Sequence, residues 1–213
     1  MRLELIMMRS VFFAAAISIA IIVLLAVTSK SLSAEPLSRA GPDGLSTAVF
    51  AGGCFWCVES DFEKLGGVIS AVSGYTGGLM KNPTYKNHGR HLEAVQVTYD
   101  PGVISYRALV DFHLHHIDPL DANGQFCDRG HAYTTAIFAS DGDEWASAQA
   151  AIADAETQLG AKIVTPIIDR SDFWRAEEYH QDYYKKHPLR YKYYRSSCGR
   201  DRRVKAIWGD AHP

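Results

Sequence analysis

Residues 47–62 read TAVFAGGCFWCVESDF, and the change of pattern inside this stretch decides the fold. Thr47 to Ala51 is a short apolar run suited to a strand, and Gly52-Gly53 ends it where a helix can open at Cys54. A strand that feeds a helix in this way puts the Cys54 thiol at a helix N-terminus. There, unpaired backbone N–H groups and the helix dipole favour a thiolate. Phe55 and Trp56 add a flat apolar wall that suits a methyl or thioether group better than a charged one. A lone Cys-Phe-Trp reads more simply as a buried core cysteine among aromatics. The two glycines, and a second cysteine three residues on at Cys57, weigh against that reading.

Downstream, strands are predicted over Val68 to Tyr75, Leu92 to Tyr99, Tyr133 to Ala139 and Ile163 to Ile168. Helices are predicted from Cys54, over Ser105 to His115 and over Asp141 to Leu159. The order β-α-β-β-α-β-α-β implies an α+β fold, a mixed sheet with helices packed on it in the manner of a split βαβ unit. There is no internal repeat, and neither a G-x-G-x-x-G nor a Walker pattern offers a phosphate cradle.

Upstream lies a different kind of segment. Val11 to Val27 is apolar apart from Ser18 and follows Arg2 and Arg9. Residues 1–32 therefore read as a secretory signal or a membrane anchor, with the body of the chain outside the cytoplasm. Ser31, Ser33 and Ala34 permit cleavage, although Leu32 makes a poor Ala-x-Ala match. Residues 33–46 (SAEPLSRAGPDGLS) form a polar linker, and the folded domain is expected over 47–213.

The 213 residues carry 24 acidic and 22 basic side chains, too balanced for a nucleic-acid binder. The basic, tyrosine-rich stretch Lys185 to Lys205 reads as a solvated tail. His113, His115 and His116 with Asp118 and Cys127 raise the question of a metal. Their spacing is not that of a zinc site, and histidines at a helix end also complement its dipole. Four cysteines in an exported chain could form two structural disulfides. A domain of this length can bury a core without staples, and the uneven placement of Cys54, Cys57, Cys127 and Cys198 suits exchange chemistry better.

Several separated motifs occur in one order: Gly53-Cys54-Phe55-Trp56, Ser73-Gly74-Tyr75-Thr76-Gly77-Gly78, Asn82-Pro83-Thr84-Tyr85, His91-Leu92-Glu93-Ala94-Val95, Asp118-Pro119, and Asp128-Arg129-Gly130 with Tyr133. In this order and context the chain resembles the A-type peptide methionine sulfoxide reductases from about Thr47 to Gly209. The resemblance implies a ferredoxin-like core with a long coil-rich C-terminal segment. It also implies thiol-dependent reduction of the S epimer of methionine sulfoxide, in proteins and in free form. Cys54 then aligns with the nucleophile and Glu93 with the catalytic acid. Tyr85 and Tyr133 align with the hydroxyls that hold the sulfoxide oxygen, and Asp128 with the acidic residue beside them.

The residues themselves allow this chemistry, since a thiolate and a neutral acid must coexist at one pH. Glu93 interrupts the apolar Leu92, Ala94 and Val95, so desolvation would raise its pKa. Taken alone, its alternation with Gln96 and Thr98 equally suits an outward-facing strand carboxylate. Each tyrosine taken alone, among eleven, equally suits packing. The sulfenic acid on Cys54 would condense with a second thiol. The resemblance makes that thiol Cys198, in a mobile Ser-Ser-Cys-Gly tail, with Cys57 as the alternative; many relatives carry glycine at the Cys57 position. Only one of the family's two C-terminal cysteines is present, and Cys127 reads as a buried structural thiol. The segment from Tyr85 to His91 is also shorter than in many members. No cofactor or metal is implied. The expected partners are a thioredoxin-like reductant and oxidised protein substrates, with the chain acting as a monomer.

Overall fold

The structure is a computed structural model that describes residues 35–37, 39 and 41–209. The predicted leader, residues 1–32, lies outside the described residues. Among the described residues no helix is long and apolar enough to cross a membrane.

β1 (Ser46–Gly52) runs into α1 (Phe55–Phe62), and β2 (Val68–Thr76) and β3 (Leu92–Tyr99) follow. Helix α2 (Tyr106–His115) is capped by the Ser105 hydroxyl, which accepts the Ala108 N–H at 3.2 Å. The two-residue strands β4 (Gly124–Gln125) and β5 (Asp128–Arg129) make a small hairpin, and β6 (Thr135–Ala139) returns to the main sheet. Helix α3 (Gly142–Leu159) starts at the Asp141 cap and stops at Gly160 in the left-handed region. β7 (Ile167–Asp169) and β8 (Trp174–Arg175) complete the strands.

The six-stranded sheet has the order β7-β6-β1-β3-β2-β8. β3 lies between β1 and β2 and is antiparallel to both, with Phe50 opposite Val95 and Tyr75 opposite Glu93. This is the split βαβ arrangement of a ferredoxin-like α+β core, as the element order implied. Because side chains alternate across a strand, β1 supplies both layers of core. Ala48 and Phe50 face α1, α2 and α3, while Val49 and Ala51 face the layer of Leu92, Ala94, Phe138 and Phe173. Phe50 is fully buried and stacks on Phe62 at 5.0 Å; truncating such a phenylalanine costs about 3–5 kcal/mol.

Two sequence expectations need correction. The strand expected over Ile163 to Ile168 is confined to β7, because Pro166 has no N–H to give a ladder and contributes only its carbonyl, to the Ile137 N–H at 3.0 Å. The C-terminal segment is largely coil up to Asp182, but it then forms α4 (Tyr183–Lys186), α5 (Pro188–Ser197) and α6 (Arg200–Trp208). It is not a solvated tail. Arg200, Val204 and Trp208 recur every four residues and are buried, and Arg195 and Arg200 reach the buried Asp61 at 2.8 and 3.8 Å. An apolar stripe with an arginine at one position looks polar in sequence, which hid the helix.

Candidate active site

The junction of β1 and α1 sets the site. Gly53 has φ +81°, and a Cβ there would lie 2.5 Å from Cβ of Gln125. Both facts require glycine, and together they turn the chain so that Cys54 becomes the helix cap. One pocket is lined by Cys54, Phe55, Trp56, Tyr85, Glu93, Asp128, Tyr133 and Tyr194. All seven pocket residues expected from sequence are therefore brought together, and Tyr194 is added.

Glu93 is 2 % exposed. Strand parity groups it with Val95, Val97 and Tyr99, on the face covered by α1, and not with Gln96 and Thr98 on the other face. The outward-facing alternative is thus ruled out. Its Oε2 accepts the Phe55 N–H at 3.1 Å. Burial pushes the carboxyl up to about 8, against the lowering effect of that N–H, and the charges of Asp128 and Cys57 add to the rise. At neutral pH it holds its proton. The first free N–H of the helix is therefore spent on Glu93 and not on the Cys54 sulfur.

The Cys54 and Cys57 sulfurs hydrogen-bond each other, and both are buried. Burial, Cys57 and the charge of Glu93 push the Cys54 thiol well up. The bond from Cys54, with Arg200 and Arg195 nearby, brings Cys57 down to about 7. The pair thus yields one proton near neutrality and keeps the second, so a single thiolate is shared between the two sulfurs.

Hydroxyls ring the sulfur. Tyr85 and Tyr133 hydrogen-bond each other, and burial pushes both phenols up, so they are donors at any working pH. The Tyr194 hydroxyl donates to Asp128 Oδ2 and bonds the Cys54 sulfur. Burial raises the Asp128 carboxyl. Trp56 stacks on Tyr183 at 3.7 Å and donates its indole N–H to His180 Nδ1 at 3.1 Å, which fixes its ring beside Phe55. Tyr194 and His180 carried no local sequence signal. The four-residue step from Tyr194 to Cys198 was the one available hint.

The histidines raised as metal ligands are otherwise engaged. His113 is buried against Phe50 at 5.0 Å, and His115 and His116 bond the carbonyls of Asp111 and Phe112 at 2.8 and 2.7 Å. Asp118 accepts from Arg203 at 2.7 Å.

Comparison with known families matches residues 46–212 to the peptide methionine sulfoxide reductase model. The chain belongs to this family. It is 52 % identical over 165 residues to peptide methionine sulfoxide reductase MsrA 2 of Rhizobium meliloti, covering 76 % of this chain and 83 % of that one. It is 44 % identical over 199 residues to MsrA 2 of Caulobacter vibrioides, covering 89 % and 98 %. Among solved structures it resembles methionine sulfoxide reductase A of Corynebacterium diphtheriae, with TM-score 0.66, 28 % identity, and 71 % and 79 % coverage. Mxr1 of Saccharomyces cerevisiae in reduced form is similar at TM-score 0.66 and 30 % identity, with 70 % and 90 % coverage.

In this methionine sulfoxide reductase the four cysteines fall into two pairs. Cys54 and Cys57 are thiols, while Cys127 and Cys198 form a disulfide with Cα atoms 4.9 Å apart. Cys127 is exposed and bridged, which overturns its reading as a buried structural thiol. Cys198 is not in a mobile tail but caps α5, and in this oxidation state it has no thiol to offer Cys54.

Proposed function

We infer that the protein reduces the S epimer of methionine sulfoxide in oxidised polypeptides, and free methionine sulfoxide as well. The carrying observation is the pairing of a buried thiol and a neutral carboxylic acid at one helix N-terminus, Cys54 with Glu93. The Cys54 thiolate attacks the sulfoxide sulfur, and Glu93 gives its proton to the departing oxygen. The oxygen passes to Cys54 as a sulfenic acid, and methionine leaves reduced. Tyr85 and Tyr133 hold the oxygen as charge develops on it, Asp128 and Tyr194 orient the sulfur, and Phe55 with Trp56 receives the methyl group.

Cys57 is the thiol within reach of the sulfenic acid. It displaces water and closes a Cys54–Cys57 disulfide, which returns to thiols by exchange with a thioredoxin-like dithiol. This takes the alternative assignment over Cys198, on the contact between the two sulfurs. The pocket is assembled from residues of one chain, which suits action as a single copy. The apolar segment Val11 to Val27 supports a location outside the cytoplasm. The test is reduction of peptides carrying each sulfoxide epimer, with dithiothreitol as reductant. The S epimer should be consumed and the R epimer left; a preference for R, or no turnover, would refute the reading.

A further inference from the structure

The pocket is small, about 70 Å³, so only the sulfoxide end of a side chain enters it, and the flanking residues of an oxidised polypeptide must lie on its rim. One bank of that rim is the turn from Thr84 to Asn87. These two residues exchange both backbone hydrogen bonds, at 3.0 and 2.9 Å, which leaves Tyr85 and Lys86 at the tip. Tyr85 bonds Tyr133 in the pocket wall, and Lys86, the next residue, is exposed. Arg90 is tied to the same wall. Its carbonyl accepts from His131 Nε2 at 3.0 Å, His131 shares a single helical turn with Tyr133, and Arg90 is exposed as well.

Charge on this rim is unbalanced. Glu178 is held by Arg175 at 2.7 Å and Lys186 at 2.9 Å, and Asp121 by Arg129 at 3.0 Å. Asp128 accepts from Tyr194, and Glu93 keeps its proton at neutral pH. Glu177 is half-buried, with its oxygens taken by the Tyr85 N–H at 2.9 Å and the Tyr75 hydroxyl at 3.0 Å. Among the described residues neither Lys86 nor Arg90 is paired with a carboxylate, and together they outnumber the charge of Glu177. Unpaired cations beside a mouth attract carboxylates on a ligand that lies across it.

We propose that Lys86 and Arg90 make the protein select methionine sulfoxide in acidic segments, by binding the side-chain carboxylates of residues next to the sulfoxide in the substrate chain. This rests on the reading that the pocket reduces the S-sulfoxide of polypeptides. An extended chain advances about 3.3–3.6 Å per residue, so the first few residues on either side of the sulfoxide pass over the rim that carries these two cations. Neither of them lines the pocket. Their attraction is therefore equal in the ground state and the transition state, which lowers KM and leaves kcat unchanged. Both are exposed, so the effect is modest and salt screens it.

The test uses the full chain, with dithiothreitol as reductant, on short peptides with blocked termini in which a central methionine S-sulfoxide is flanked by Glu, Gln or Lys. At low salt kcat/KM for the Glu peptide should exceed that for the Gln peptide about three- to tenfold, through KM, with the Lys peptide below both. The order should flatten at about 0.5 M salt, a readout that needs no variant to fold. Lys86→Ala combined with Arg90→Ala should remove the preference and leave the Gln peptide unchanged. Equal kcat/KM for the three peptides, a Glu preference that survives in the double variant, or one that lies in kcat alone overturns the proposal. If the wild type does not reduce the Gln peptide at all, it is the reductase reading that fails, and the selection falls with it.

Discussion

Glu93 Oε2 accepts the backbone N–H of Phe55 at 3.1 Å, so the acid and the Cys54 thiol share one helix terminus. The strand β3 carries the acid in and α1 carries the sulfur. Their spacing is fixed by backbone, which makes the pair a stable unit whose members can be altered one at a time.

Replacing Cys54 with serine should abolish sulfoxide reduction, because a hydroxyl is not ionised at neutral pH and cannot stand in for a thiolate. Single-turnover methionine formation measures it, and appreciable residual activity removes Cys54 from the mechanism.

Glu93→Gln should slow the chemical step about a hundredfold or more. The amide oxygen can still accept the Phe55 N–H, so the site keeps its shape but lacks the proton. Rapid-quench single turnovers at pH 7 give the rate; an unchanged value would make Glu93 a mere strand residue.

The pH dependence has a definite sign. Folding raises the Glu93 carboxyl from an ordinary value to about 8, so between these limits the folded state binds more protons than the unfolded one. Its contribution to stability is full at low pH and is lost as pH rises toward 8. Glu93→Gln should therefore raise the Tm relative to wild type, by a margin that widens from about pH 5 to pH 8. Activity should need the thiol pair to lose a proton, near 7, and Glu93 to keep its own, to about 8. The expected rate profile is a narrow bell between them, and a flat profile would contradict it.

Tyr194→Phe removes the hydroxyl that joins Asp128 to the Cys54 sulfur while keeping the ring, whose edge meets Trp56 at 5.9 Å. A hydrogen bond to an ionised group is worth about 1.5–3 kcal/mol, so kcat/KM should fall about 10- to 100-fold, and the Tm should drop as Asp128 loses its partner. A change below twofold would leave Tyr194 as packing alone.

Gly53→Ala should destabilise the fold as well as the site. The substituted residue would hold a left-handed conformation, at a cost of about 1–2 kcal/mol, with its Cβ against Gln125. Denaturant unfolding should show a lower midpoint; wild-type stability would mean that the turn relaxes freely.

The residues 47–62 alone established a strand, a glycine turn and a helix opening at Cys54. The alternations downstream gave β2, β3, α2 and α3 close to their observed bounds, because burial of one face imposes a period that sequence displays. Motif order placed Tyr85, Glu93, Asp128 and Tyr133 in one pocket before any geometry was known. Only the tertiary structure decided which face Glu93 takes, since a row of Val95 and Val97 means core only once a helix is packed upon it. The same holds for Tyr194, His180 and Arg200, whose roles come from partners more than sixty residues away. The pairing of the cysteines was beyond the sequence for the same reason. Spacing along the chain says nothing of distance across it, and the 71 residues between Cys127 and Cys198 close to 4.9 Å only when α5 docks against the hairpin.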